Sequence, residues 1–240
     1  METTLRLQKY LSQAWICSRR KAEEYIQAWL IKVNWQIATI WMSINPEIDK
    51  VEMLDSAIKQ QNELVYYKLN KPRWIVTTCA QHDEKNIVDI MDVPERVFPI
   101  WRLDKDTTWL IIMTNDGRLA NYLMHPKYNH EKEYIVETFW SITDKQLDEM
   151  RKWLFILWSY TKKAFINRIS SWRFSIVITE WRNRQIRRMV EKVWSRVKKL
   201  KRIRIENIEL WKLDDGQYRH LTNTELKVLF DKLWIKKTVN

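Results

Sequence analysis

An acidic residue in a polar turn is the first candidate for chemistry in this sequence. Asp104 lies in the segment Arg102–Thr108, directly before the apolar stretch Leu110–Met113, which predicts a strand. A carboxylate at the start of a strand can take part in catalysis as a nucleophile. It can equally cap the turn by accepting local hydrogen bonds. The residue types alone favour the capping role, and catalysis is the alternative.

Motifs for metal binding and for nucleotide binding are missing. No histidine has a carboxylate or cysteine at metal-ligand spacing, so we expect no metal; the histidines are His82, His125, His130 and His220. The segment Trp101–Trp109 lacks the adjacent lysine and hydroxyl residue of a phosphate-binding loop. This holds even if its tryptophans stand at glycine positions, a possibility raised below. No nucleophile elbow is present.

The charge distribution indicates a polyanionic partner. The net charge is +12, and the segment Arg182–Arg204 holds eleven Lys or Arg residues against one acidic residue, Glu191. A solvated helix face normally mixes charges of both signs, so this segment predicts contact with a nucleic-acid backbone. A merely soluble basic surface is the alternative. A second, weaker signal is Arg19-Arg20-Lys21 at the start of a predicted helix, where a phosphate could bind.

The sequence has the features of a cytoplasmic protein without a membrane anchor. No run of 18 apolar residues is present, and Arg6, Lys9 and Arg19 interrupt any apolar signal near the N-terminus. Cys17 and Cys79 have neither metal-ligand nor disulfide spacing, which favours a reducing compartment.

Tryptophan stands where glycine is expected. The chain has 15 Trp and 2 Gly, whereas about 7% Gly is usual. Asn34-Trp35 occupies a tight hairpin turn that calls for Asn-Gly. Trp29, Trp153 and Trp194 each follow a predicted helix, at the left-handed position where glycine is preferred. A bulky residue there costs about 1–2 kcal/mol.

We therefore hypothesise that most of these tryptophans are glycines. A gene that uses UGA for glycine, translated with UGA as tryptophan, would produce this pattern. A tryptophan-rich surface for stacking bases is the alternative, but such residues should cluster on one face. These residues instead lie at turns along the whole chain.

The patterns predict an α+β protein with a small domain in front of a larger one. We expect an N-terminal domain at residues 3–48, a linker at 49–62 and a main domain at 63–235. Predicted strands and the N-terminal hairpin are Ile31–Ala38 (hairpin), Leu64–Leu69, Leu110–Thr114, Tyr134–Thr138, Phe174–Thr179 and Ile203–Leu210. Predicted helices are Leu5–Gln13, Ser18–Ala28 with Ser18 as N-cap, Arg118–His125, Asp144–Lys152, Arg182–Val193 and Thr224–Lys232. Capping boxes are predicted at Thr143–Gln146 and Thr222–Glu225.

Several motifs in order resemble the RsuA-like family of ribosomal pseudouridine synthases. Residues 101–110 resemble the family signature Gly-Arg-Leu-Asp-x-x-Thr-x-Gly-Leu, with tryptophan at both glycines. Residues 67–72, 132–134 and 180–189 resemble three further family motifs. Residues 5–37 resemble the RNA-binding domain typified by the fourth small-subunit ribosomal protein. Within the family, the chain is most similar to the RluF-like branch that modifies large-subunit rRNA.

The resemblance implies a catalytic domain with a mixed, largely antiparallel sheet and an activity. The enzyme would isomerise a specific uridine to pseudouridine in rRNA, with tRNA as a further possible substrate, and would need no cofactor. Asp104 would be the nucleophile or a stabilising carboxylate, Arg187 its ion-pair partner with Arg184 in reserve, and Tyr134 would stack on the target base. Without the resemblance, Tyr134 is equally well a core residue.

The remaining predicted site residues would bind RNA. They are Arg19, Arg20, Lys21, Arg102, Arg182, Arg184 and Arg188. We expect a monomer. The competing function is a non-catalytic RNA-binding or ribosome-assembly protein on the same fold, which would not need Asp104, Tyr134 and Arg187 together. A nucleotide-dependent RNA enzyme is disfavoured by the missing phosphate loop.

Overall fold

The chain forms two compact units, residues 1–64 and 65–240. The structure is a computed structural model that describes residues 4–14, 16–17, 19–54, 63–79, 84–210 and 212–233.

The first unit packs two short helices onto small antiparallel sheets. Its elements are β1 (Leu5–Arg6), α1 (Leu7–Gln13), α2 (Arg19–Gln27), β2 (Ile31–Val33), β3 (Gln36–Ile37), β4 (Ser43–Ile44) and β5 (Val51–Met53). β1 pairs with β4, and β2 lies between β3 and β5. Leu7 and Leu11 on α1, with Ala22 and Ile26 on α2, are buried in one core. Their i, i+4 spacing places each pair on one face of its helix.

Most predicted elements of this unit are present, with shifted limits. The hairpin at Ile31–Ala38 is confirmed. The first helix begins at Leu7, because the two residues before it pair with β4. β5 lies within the predicted linker 49–62 and pairs with β2, so this part of the segment belongs to the first unit. The predicted N-cap Ser18 lies outside the described residues.

The second unit is built around one nine-stranded sheet. Its strands are β6 (Tyr66–Lys71), β7 (Phe98–Ile100), β8 (Thr108–Thr114), β9 (Lys132–Thr138), β12 (Phe165–Ser170), β13 (Arg173–Ile178), β14 (Val197–Ile205), β15 (Ile208–Glu209) and β16 (Tyr218–His220). The main order is β12-β13-β9-β14-β8-β6-β16, with β15 beside β14 and β7 beside β8. All pairs are antiparallel except β14 with β8. The predicted mixed, largely antiparallel α+β fold is confirmed.

Helices and a small hairpin complete this unit. They are α3 (Gly117–Met124), α4 (Asp144–Arg151), the hairpin β10 (Phe155–Ile156) and β11 (Ser159–Tyr160), α5 (Gln185–Lys192) and α6 (Asn223–Leu233). α4 and α5 bury apolar residues against β9, β13 and β14. α3 and α6 pack against β8, whose Leu110 and Ile112 face them, whereas Ile111 and Met113 face another cluster. β8 is therefore buried on both faces, as its continuous apolar sequence predicts.

The local signals at helix ends are confirmed at several places. Thr143 and Gln146 form the predicted capping box of α4. Thr222 and Glu225 exchange the equivalent hydrogen bonds before α6, with lengths of 2.8 and 3.1 Å. Among the described residues, no helix is long and apolar enough to cross a membrane.

Two predicted elements of the second unit are wrong in extent. The strand predicted at Ile203–Leu210 is the end of β14 followed by a turn at Glu206 and the returning strand β15, because Glu206 is left-handed with φ of 50°. The helix predicted at Arg182–Val193 begins at Gln185, since Arg184 is also left-handed, with φ of 51°. A left-handed residue cannot continue a right-handed helix.

Tryptophan occupies many left-handed backbone positions. Seven of the twelve tryptophans in the described residues have positive φ: Trp29, Trp35, Trp74, Trp101, Trp109, Trp158 and Trp194. Asn34 and Trp35 both have positive φ, as a type I′ turn requires. After α5, Trp194 donates to the Glu191 carbonyl and Ser195 to the Val190 carbonyl, which is the hydrogen-bond pattern of a Schellman cap. Trp29 closes α2 in the same way.

The predicted left-handed position at Trp153 is wrong. α4 ends at Arg151, and its C-cap Lys152 is extended with φ of −84°. Trp153 is not among the residues with positive φ. This helix therefore ends without a glycine-type cap, and Trp153 provides a control for the others.

Replacing Trp194 with glycine should stabilise the protein. Its side chain is 93% exposed and its φ is 62°, so Trp194→Gly relieves backbone strain while losing few contacts, and the free energy of unfolding should rise by about 1 kcal/mol. Trp153→Gly, at a 63% exposed position without positive φ, should lower it by about 0.5–1 kcal/mol. Urea denaturation measures both. Equal effects of the two substitutions would contradict the glycine hypothesis.

The gene provides a second test of the same hypothesis. We expect UGA codons at the seven left-handed tryptophans. Sequencing the gene reads them directly, and UGG codons at these positions would exclude a recoding of glycine.

Candidate active site

Three polar side chains lie in one row across the middle of the large sheet. Lys71 of β6 is opposite Trp109 of β8, Trp109 is opposite Arg202 of β14, and Arg202 is opposite Tyr134 of β9. Directly opposed residues of neighbouring strands point to the same face of a sheet. Lys71, Arg202 and Tyr134 are all buried, with at most 3% of each residue exposed. The register of the sheet thus brings two buried cations and a phenol together.

The loop that carries Asp104 is fastened on both sides. Leu103 is buried, and its carbonyl accepts a 3.0 Å hydrogen bond from the Thr77 hydroxyl. The Lys71 ammonium group donates to the carbonyls of Pro72, Lys105 and Thr107 at 3.0, 3.4 and 3.0 Å. These bonds hold the backbone on both sides of Asp104.

The start of α5 brings two guanidinium groups to Asp104. Arg184, in its left-handed conformation, ends the preceding turn, and Arg187 lies in the first turn of the helix. The Asp104 Oδ2 atom is 3.7 Å from Arg184 Nη1 and 3.9 Å from Arg187 Nε. Both predicted partners are therefore beside the carboxylate, at ion-pair distance.

Burial distinguishes the two arginines. The Arg187 side chain is 10% exposed and the Arg184 side chain 44%. Burial lowers the pKa of Arg187, the positive charge of Arg184 lowers it further, and the charge of Asp104 opposes both effects. The Arg187 Nε atom is buried and has no hydrogen-bond partner among the residues that the structure describes. Asp104 is therefore the carboxylate at ion-pair distance from Arg187, and the charge of Asp106 adds to its effect.

Tyr134 and Asp104 line the same cavity. Further lining residues are Leu103, Ile178, Trp181, Arg182 and Leu200. Burial raises the pKa of Tyr134, and the neighbouring Arg202 partly opposes this effect, so the phenol stays protonated at neutral pH. A cavity with an apolar wall, an aromatic ring, a carboxylate and guanidinium groups suits a small planar ring attached to a charged backbone.

The basic residues predicted to bind RNA have different environments. Arg102 is exposed beside Asp104, and Arg19, Arg20 and Lys21 are exposed at the start of α2 in the first unit. The Arg188 guanidinium group donates to the backbone carbonyl and the side-chain oxygen of Asn183, at 3.1 and 3.3 Å. None of these contacts tests RNA binding, which stays a prediction.

Arg182 is the predicted RNA-binding residue with the most internal bonds. It donates to Glu180 at 3.1 Å and to the Ser159 carbonyl and hydroxyl at 3.1 and 2.6 Å. It also bonds to the Tyr160 carbonyl. The guanidinium group thus uses several of its N–H donors on the β10–β11 hairpin, so fewer donors are left for a phosphate.

The structure corrects the prediction of nucleic-acid contact for one residue of the basic segment Arg182–Arg204. Arg202 is fully buried and donates to the Leu110 carbonyl at 2.8 Å, so it cannot bind a phosphate on the surface. Among the described residues, its two Nη atoms make no bond of ordinary hydrogen-bond geometry, and the Tyr134 phenol is the polar group beside this guanidinium. The pairing of β14 with β8 and β9 causes this burial, and a register shift between Arg202 and Arg204 interrupts the alternation of the strand, so no sequence pattern signalled it.

Sequence reasoning also missed two buried lysines near the site. Burial lowers the pKa of Lys71 to about 8, although Asp106 and Asp104 raise it. Burial and the charge of Arg202 lower the pKa of Lys132 to about 8. Lys132 donates to the His130 carbonyl at 2.8 Å and lies 4.6 Å from the Trp101 ring centre.

Comparisons with known proteins assign the family. Residues 65–192 match the family model described as RNA pseudouridylate synthase, and residues 5–40 match the S4 domain. The chain belongs to the RNA pseudouridylate synthase family. The predicted family resemblance is confirmed, and the chain is an enzyme of the isomerase class that this family represents.

Curated relatives cover nearly the whole chain. The chain is 40% identical to the dual-specificity RNA pseudouridine synthase RluF of Escherichia coli (strain K12), over 95% of this chain and 79% of that protein. It is 36% identical to ribosomal large subunit pseudouridine synthase B of Bacillus subtilis, over 93% and 95%. A crystal structure titled pseudouridylate synthase matches with a TM-score of 0.71 and 28% identity, over 94% of this chain and 99% of that one.

Removing the Lys71 ammonium group should loosen the Asp104 loop of this pseudouridine synthase. Lys71→Met removes the ammonium donor from three backbone carbonyls, of which the Lys105 carbonyl keeps the Trp74 N–H. Each such loss costs about 1–3 kcal/mol, so amide exchange in residues 102–107 should speed up by about 5-fold or more. Hydrogen–deuterium exchange with mass spectrometry measures this change.

Lys105→Met is the matched control on the same loop. Lys105 pairs with Glu84 in an exposed ion pair, with side chains 43% and 59% exposed. Such a pair contributes little, so exchange in this variant should stay at the parent level. The same acceleration in both variants would contradict the role of Lys71.

Proposed function

We propose that this enzyme converts a uridine of large-subunit ribosomal RNA to pseudouridine, with Asp104 as the reacting carboxylate. The observation that carries the proposal is the Asp104 side chain beside Arg184 and Arg187 in a cavity that Tyr134 also lines. The names of the relatives support the RNA class, since one is a large-subunit pseudouridine synthase. One relative is named a dual-specificity enzyme, so a second class of RNA should be tested as well. We choose tRNA, the further substrate expected from the family resemblance.

The proposed reaction is an isomerisation that needs no other reactant. The bond between N1 of uracil and C1′ of ribose breaks, the base turns, and C5 bonds to C1′. The proton lost from C5 balances the proton gained at N1. Asp104 either attacks the ribose or stabilises the positive charge that develops there when the base leaves. Its ionised form is required in both cases, and the guanidinium groups of Arg184 and Arg187 lie beside it at ion-pair distance.

Tyr134 and the basic residues would hold the RNA. The target nucleotide has to leave the base stack, because its glycosidic bond is shielded inside a helix. Tyr134 would stack on the flipped uracil, and its phenol would serve as a proton donor. Arg102, Arg184 and Arg188 would contact the neighbouring phosphates. Arg19, Arg20 and Lys21 would add contacts from the N-terminal RNA-binding domain, as a tethered second site.

The proposal extends to the setting of the enzyme. We place an N-terminal RNA-binding domain at residues 3–48, a linker at 49–62, of which β5 belongs to the first compact unit, and the catalytic domain at 63–235. We expect the enzyme to work as a monomer in the cytoplasm. Sedimentation of the purified chain tests the oligomeric state.

Removing the charge of Asp104 should abolish catalysis and spare RNA binding. Asp104→Asn keeps the size of the side chain, so pseudouridine formation should fall below detection while the Kd for RNA changes only slightly. Mapping pseudouridine in large-subunit rRNA and tRNA transcripts, each incubated with enzyme, measures the product. Filter binding measures the Kd.

Asp106→Asn is the control, because it makes the same charge change two residues away. It should keep turnover within about tenfold of the parent enzyme. Full turnover by Asp104→Asn would remove this carboxylate from the reaction. Product with neither RNA from the parent enzyme would favour the non-catalytic alternative.

A further inference from the structure

The β10–β11 hairpin presents exposed aromatic rings. Phe155 is 45% exposed and Tyr160 is 66% exposed. They are directly paired across the two strands, and their ring centres are 5.2 Å apart in an edge contact. Leu157 and Trp158 form the two-residue turn, both with positive φ. The pair of rings is thus mounted on a short, defined hairpin instead of a loose loop.

Hydrogen bonds connect this hairpin to the wall of the active-site cavity. Arg182, which lines the cavity, donates to the Ser159 carbonyl and hydroxyl and to the Tyr160 carbonyl. Glu180 accepts from Arg182 at 3.1 Å, from the Lys162 backbone at 2.7 Å and from the Gln185 amide at 2.8 Å. Gln185 is the first residue of α5, the helix that carries Arg187. The hairpin and the ion-pair helix are therefore held by one network.

The charges around the hairpin indicate the kind of partner. Residues 152–163 contain three lysines, at 152, 162 and 163, and no acidic residue. Arg184 lines the same cavity as Arg182. Exposed aromatic rings interleaved with cations are the arrangement that binds single-stranded nucleic acid, since bases stack on the rings and phosphates pair with the cations. A protein partner of the same shape would have to be acidic.

We propose that bases next to the target nucleotide stack on Phe155 and Tyr160, and that Arg182 positions the hairpin for this contact. The proposal rests on the proposed function for the identity of the RNA. Trp158 at the tip is left out of the stacking surface, because its φ of 62° is a conformation that favours glycine. Arg182 acts here through the hairpin, in contrast to the direct phosphate contact expected from the sequence.

Binding to a probe without a target uridine tests the surface separately from catalysis. The probes are a single-stranded oligocytidylate, which contains no uridine, and an abasic strand of equal length. The Kd of the abasic strand divided by the Kd of the strand with bases measures the contribution of the bases, and this quotient is the ratio used below. Stacking on one ring contributes about 1–3 kcal/mol, so Tyr160→Ala should reduce this ratio by about 5- to 150-fold. Phe155→Ala should reduce it in the same direction, and Tyr160→Phe should keep it.

Phe139→Ala is the matched control in the same unit. Phe139 is 54% exposed and directly follows the last residue of β9. Its ring centre lies 5.7 Å from the guanidinium carbon of Arg196. This variant should keep the ratio of the parent enzyme. An unchanged ratio in both hairpin variants, or an equal fall in Phe139→Ala, would overturn the proposal.

The positioning role of Arg182 has its own readout. Arg182→Gln should lower the ratio of Kd values, and adding Tyr160→Ala should lower it little further, because both changes act on one surface. Fully additive losses would overturn the positioning role. If the ratio behaves as expected while no RNA is isomerised, the surface stands and the proposed function fails; the reverse outcome removes the surface alone.

Discussion

The ion pair between Asp104 and Arg187 is the interaction on which the site depends. Two unit charges about 4 Å apart attract by about 4 kcal/mol in the dielectric typical of a protein near its surface. Part of that energy offsets the cost of burying Arg187, whose Nε has no other partner. Because each charge compensates the other, the fold must bring the loop of Asp104 and the start of α5 together. Lys71 and Thr77 fasten the loop, and left-handed Arg184 sets where the helix begins.

Buried positive charge is the second feature of the sheet. Lys71, Lys132 and Arg202 are each at most 2% exposed, and burial lowers the pKa of all three. Burying several cations costs folding free energy, so a functional role is the expected reason for keeping them. Under the proposed function, these three cations would favour the negative charge of a bound nucleotide. Under the same proposals, the exposed arginines would pair with phosphates outside the cavity, and the rings of the β10–β11 hairpin would stack on neighbouring bases.

Local features were predictable from the sequence, and features set by strand neighbours were not. The capping boxes at Thr143 and Thr222 and the Asn34-Trp35 turn depend on residues close in sequence. Arg202 is different, because its burial follows from β14 pairing with both β8 and β9. The family motif brought Asp104 and Arg187 together, whereas the residue types alone favoured a turn cap. The internal bonds of Arg182 needed the hairpin, which no pattern had predicted.

A double-mutant cycle on Asp104 and Arg187 tests the central interaction most directly. The free energy of unfolding is measured for the parent, for Asp104→Asn, for Arg187→Gln and for the double variant. Residues that share an ion pair show a coupling of about 0.5–3 kcal/mol. We predict that the double variant is more stable than the sum of the single losses implies, by at least about 0.5 kcal/mol. Additive losses would show that the two charges do not depend on each other and would contradict this account.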